Sequence, residues 1–196
     1  MRAEPIVHAS PALALYGRAC AAFDRQVRAV RDPWWSAPTP CPDWTVRGLV
    51  NHVVVEDLCA AELLAGRTLA DVGSSLDGDQ LGAVPLQRWS EATQRALAAA
   101  AANGAMDRPV ELSFGVVPGS EYAMQLFADH LVHAWDLAIA LGTDLRLDSD
   151  LVEACLEWFA DVEDAYRSAG AIGPRIQLPP GADRQTTLLA AFGRTS

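Results

Sequence analysis

Residues 123–142 read AMQLFADHLVHAWDLAIALG, and this stretch decides the fold class. Gln125, Asp129, His133 and Asp136 recur at helical spacing, which lines the four up on one face of an α-helix. Around them stand Met124, Leu126, Phe127, Leu131, Val132, Trp135, Leu137, Ile139 and Leu141. A helix apolar on nearly every side belongs inside a protein. Carboxylates and an imidazole buried there are costly unless something pairs with them or they coordinate an ion. The stripe reads first as a set of metal ligands and second as a polar network in a core.

The flanking segments carry the same period. Leu13, Tyr16, Cys20, Phe23, Val27 and Val30 predict a first helix over about residues 8–31. Pro33 and the Pro-rich WWSAPTPCPDW end it. Asp43 or Thr45 caps a second helix bearing Val46, Leu49, Val50, Val53, Val54 and Leu58, which ends near Gly66. Residues 67–84 read as loop, 85–102 as an Ala-rich helix, and PVELSFGVVPG as a small β-hairpin. Ser120 is the expected cap of the striped helix. A fifth helix is expected over about 148–168, and Asp183 should cap a short C-terminal one. The expectation is an all-α bundle of four main helices with a small β-hairpin insertion and a short C-terminal helix, forming one domain over residues 1–196.

Composition narrows the function. The chain has 196 residues, 51% of them hydrophobic, with a net charge of −10. An acidic surface repels phosphate backbones, so nucleic acid is not an expected partner. No apolar run is long enough to span a membrane, and MRAEPIVHAS lacks the features of a signal peptide, so a cytoplasmic location is expected. All 15 basic residues are arginines. Without lysine there is no Schiff base and no P-loop lysine. Cys20, Cys41, Cys59 and Cys155 show no CxxC spacing, so a zinc ribbon or redox dithiol is not expected. Cys41, in the Pro-rich loop, is expected to be the most accessible of the four, with a structural role expected over a reactive one.

Bundles build metal sites from side chains on facing helices. The striped helix offers Asp129 and His133, and His52, in VNHVVVED, is the natural third ligand from the second helix. His8 precedes the first clear helix. His130 lies about 100° around the helix from its neighbour Asp129, so one ion could not readily take Asp129, His130 and His133 together. His52, Asp129 and His133 would leave a coordination position open, as catalytic zinc does. On spacing alone the bland alternative keeps more weight: a buried histidine beside a carboxylate is usually a satisfied core pair. Glu56, four residues after His52, could pair with it. Asp136 could orient a ligand histidine from behind or pair with an arginine. Trp44 and Trp135 read as core or pocket-wall aromatics, and Gln125 as a hydrogen-bonded or exposed residue at the bundle end.

At TPCPDWTVRGLVNHVV, at DHLVHAWDLAIALG and at the tail DRQTTLLAAFGR, the chain resembles actinobacterial relatives of the mycothiol-dependent maleylpyruvate isomerase N-terminal domain, in the DinB-like superfamily. The resemblance implies a DinB-like four-helix bundle with one divalent metal, usually zinc or nickel, on the positions His52, Asp129 and His133. The isomerase has glutamate where this chain has Asp129, one methylene shorter. The resemblance further implies a low-molecular-weight thiol such as mycothiol, whose sulfur the metal holds as a nucleophilic thiolate. The isomerase carries an additional C-terminal domain for which 196 residues leave no room, so isomerisation of maleylpyruvate itself is not expected.

The function expected on these grounds is a metal-dependent thiol S-transferase acting on a small electrophile. The alternatives are a metal-assisted hydrolase or isomerase that uses no thiol, and a non-catalytic bundle that binds a small molecule or protein. Arg47 is the candidate for holding polar groups of the cofactor. A homodimer stays open, and His130 has no assigned role.

Overall fold

The computed structural model describes residues 10–170 and 172–195; His8 lies outside them. Helix α1 spans Pro11–Ala29, with proline in its first turn, where a missing N–H costs nothing. A 3-10 turn, Asp32–Ser36, takes the chain through the prolines. Helix α2, Val46–Leu64, starts where the Thr45 hydroxyl accepts from the Gly48 N–H. The expected loop at 67–84 contains one short helix, α3, Leu69–Val72, closed by a Thr68–Asp71 capping box. Helix α4 covers Pro85–Ala101. Strands β1, Pro109–Leu112, and β2, Gly115–Pro118, pair antiparallel, with Val110 opposite Val117.

The striped helix, α5, runs Gly119–Leu141 and stops at Gly142 in the left-handed conformation. Its N-cap is Pro118, whose ring carries no hydrogen-bond acceptor, so the expected capping by Ser120 is not what starts it. Instead the Gly119 and Ser120 amides donate to the Arg108 and Met106 carbonyls at 2.8 Å each. The preceding loop satisfies donors that a capping side chain would otherwise take. Helix α6, Ser149–Ser168, and helix α7, Arg184–Ala191, follow, α7 with the Asp183 cap expected of it.

Helix α1 lies along α5, and α2 along α4, while α2–α5 and α1–α4 contacts close a four-helix bundle. Helix α6 packs on α5 and α1 and carries α7. The fold is all-α, with the hairpin inserted before α5. Two apolar clusters fill it. One centres on Tyr16, Leu63, Phe127 and Leu131, and the other on Phe23, Val53, Trp89 and Leu137. No helix among the described residues is long and apolar enough to cross a membrane.

Candidate functional site

Helices α2 and α5 meet at the floor of an open cleft of about 620 Å³. His52 stands on α2, one turn before Glu56. Asp129 and His133 stand on successive turns of α5, facing it. The Asp129 Oδ1 atom lies 3.5 Å from His52 Nε2 and 3.2 Å from His133 Nε2. Donor atoms of His52, Asp129 and His133 all fall within 4.8 Å of one another. The three residues that the spacing singled out therefore converge.

The electrostatics follow from this crowding. Burial would raise the Asp129 carboxyl, but the two imidazoles override it and hold the group well below its ordinary range. Burial would lower His133, but Asp129 and then Asp136 hold it well above the usual imidazole value. An imidazole between two carboxylates is asking for positive charge. Asp129 Oδ2 asks for the same: it is closed off from solvent and has no hydrogen-bond partner among the described residues, although 30% of the side chain is exposed. A buried carboxylate oxygen without a donor is an anomaly that a cation would remove. The donor set, two nitrogens and a carboxylate, would fit zinc or nickel.

Asp136 lies behind His133 and accepts from its Nδ1 at 2.9 Å, which points Nε2 at Asp129. The Arg194 guanidinium in turn donates to Asp136 at 2.8 and 3.2 Å, and to the Cys41 sulfur at 3.3 Å. Cys41, His133 and Asp136 form a second group of converging donors, but that space already holds the guanidinium. Asp136 thus accepts from an imidazole and an arginine at once. Trp44 stacks on His52, with ring centroids 4.5 Å apart. Glu56 lines the cleft, its carboxyl raised first by burial and then by Asp129, with His52 opposing the shift.

Arg47 points elsewhere. It donates to Asp79 at 2.5 Å and to the Gly82 carbonyl at 2.7 Å, pinning the loop between α3 and α4. It does not line the cleft, and Arg194 is the arginine among the described residues that does. Periodicity and spacing offered no signal for Arg194, which ends the DRQTTLLAAFGR tail and meets Asp136 only through the tertiary fold.

His130 belongs to a separate network inside the bundle. Its Nδ1 bonds the Leu126 carbonyl at 2.8 Å, and its Nε2 sits 3.2 Å from Asp57, close but poorly aligned. Tyr16 also donates to Asp57, as does Thr93 at 2.7 Å. Asp57 and His130 are fully buried, and burial is outweighed at His130 by Cys20 and Asp57, which raise it well above its ordinary value. Asp57 was legible in principle: it continues the apolar face of Val50, Val53 and Val54 by one turn.

Residues 16–138 match the family described as the mycothiol maleylpyruvate isomerase N-terminal domain. Two Mycobacterium tuberculosis relatives, the uncharacterized proteins MT0763 (strain CDC 1551 / Oshkosh) and Rv0738 (strain ATCC 25618 / H37Rv), are each 33% identical, covering 93% of this chain and 97% of theirs. The crystal structure of the mycothiol-dependent maleylpyruvate isomerase is similar at a TM-score of 0.55 and 18% identity, over 67% of this chain. That similarity spans 61% of the isomerase chain, less than two thirds of its length. A crystal structure of a histidine-to-alanine variant of that enzyme gives 0.60 and 16%, over 75% of this chain and 67% of that one. At these identities the two structures speak for the fold alone.

Proposed function

The chain belongs to the mycothiol maleylpyruvate isomerase N-terminal domain family, and on that premise we propose that it is a metal-dependent S-transferase joining a mycothiol-type thiol to a small electrophile. The observation that carries this reading is the convergence of His52, Asp129 and His133 on a cleft floor where Asp129 Oδ2 has no partner. A divalent cation held by these residues supplies positive charge that favours the thiolate form of a sulfur beside it.

The chain's own residues do the rest. Asp136 fixes the ring of His133 through Nδ1, and Arg194 fixes Asp136. Trp44 limits rotation of His52 by covering one face of its ring. The cleft then holds an electrophile within reach of the sulfur, which supplies the proximity that a two-substrate reaction otherwise lacks. In the transfer a C–S bond forms as the leaving group departs with its electron pair, and the thiol proton goes to solvent through the open cleft. Maleylpyruvate isomerisation is the named activity of a longer enzyme and is not proposed for this chain.

The test is conjugation of mycothiol to a bimane electrophile by metal-loaded and by chelator-treated protein. Faster conjugation by the loaded protein, abolished by His52→Ala, is the expected result. Equal rates across several thiols and electrophiles would overturn the reading.

A further inference from the structure

The cleft has two unlike ends. The polar end is the floor built from His52, Asp129 and His133. The other end is a continuous run of aromatic rings contributed by three elements. Phe114, at the hairpin turn, lies 5.8 Å from Tyr166 of α6, and Tyr166 meets Trp158 edge-on at 5.9 Å. Trp158 contacts Phe159 at 6.0 Å, and Phe159 stacks on Phe192 of the tail at 4.4 Å. All five line the cleft.

The polar handles of this wall are turned away. Trp158 Nε1 donates to Glu121 at 3.0 Å, and the Tyr166 hydroxyl donates to the same carboxylate at 3.3 Å. Burial and then Glu121 push the Tyr166 hydroxyl well up, so it stays protonated. What the wall offers a ligand is ring surface without hydrogen-bonding groups, which suits a planar apolar body and not a polyhydroxylated one.

Charge points the same way. Arg194 is the one guanidinium among the described residues lining the cleft, and Asp136 and the Phe192 carbonyl already hold it. Asp43 and Glu56 line the cleft as well. A carboxylate seated against the aromatic wall would meet no uncommitted arginine, whereas a site that recognises a carboxylate supplies one.

Resting on the reading of the cleft as an S-transfer site, we infer that the acceptor is an uncharged, planar aromatic electrophile, seated against the Phe114–Trp158–Tyr166 wall, and not a carboxylate-bearing one. The test is calorimetric binding to the protein as purified, without thiol, of naphthol and of a naphthalene dicarboxylate at neutral pH. Naphthol is expected to bind about tenfold tighter or more. Phe114→Ala, at an exposed turn, and Trp158→Ala should each weaken naphthol several-fold without changing the helical circular dichroism. Equal or tighter binding of the dicarboxylate, or naphthol binding untouched by Phe114→Ala, overturns the inference. A protein that binds naphthol selectively yet conjugates nothing overturns the S-transfer reading and leaves this ligand class standing.

Discussion

Trp44 lies nearly flat against His52, the ring planes 27° apart and the centroids separated by 4.5 Å. The indole comes from the Pro-rich loop and the imidazole from the second turn of α2, so the loop packs directly on a proposed ligand. Such a ring pair contributes about 0.5–1.5 kcal/mol beyond its buried area. Trp44→Ala is therefore expected to weaken zinc binding about three- to tenfold, read by competition with a chromophoric chelator. Unchanged affinity would show that α2 alone orients His52.

Removing a proposed ligand and removing its support should differ in degree. His52→Ala is expected to strip most of the bound metal in elemental analysis of untagged protein. Asp136→Asn keeps the size of the side chain but removes the charge that fixes His133, and should cost about 10–100-fold in affinity. Full occupancy in His52→Ala would take that histidine out of the set.

The start of α5 makes a steric prediction. A Cβ on Gly119 would sit 2.0 Å from the carbonyl oxygen of Ala105, a backbone atom that cannot swing aside. Gly119→Ala should destabilise the protein by about 1–3 kcal/mol, seen as a lower urea midpoint at constant slope. Gly17, with nothing within 4 Å of its added Cβ, supplies the control. Gly17→Ala removes a glycine from a helix interior and should be neutral or stabilising.

Glu163 sets a pH window. Hydrogen bonds from Arg175 and Arg167 outweigh burial and lower its carboxyl from 4.5 to about 2. A carboxyl lowered on folding contributes stability that is complete above its unfolded value and lost as pH falls through its folded value. The stability difference between the wild type and Glu163→Gln should therefore be constant above pH 4.5 and shrink from there toward about 2. A difference independent of pH across that window would show that the pair contributes no linkage.

The helices were legible because their apolar period is strong, and the three converging donors because the chain has only four histidines to choose from. What stayed hidden has a common cause. Arg194 reaches Asp136 across 58 residues, and no local pattern encodes such a contact. The aromatic wall takes one residue from the hairpin, three from α6 and one from the tail, so no single spacing announces it. Arg47 looked available because its partners, Asp79 and Gly82, lie in a loop whose path no periodicity describes. Ser120 has the chemistry of a cap, but the Arg108 and Met106 carbonyls reached the amides first.

The buried Asp57–His130 pair has a consequence for how the helices align. Asp57 shares α2 with His52, and His130 shares α5 with Asp129 and His133. Apolar faces alone tolerate sliding, since one leucine replaces another after a turn. A slip of one turn, about 5.4 Å, would strand a carboxylate among hydrocarbon, and that misalignment is the expensive one. The interior pair thus acts as a ruler between two helices, fixing, five residues along α2 and one along α5, the height at which an imidazole on one meets the carboxylate on the other.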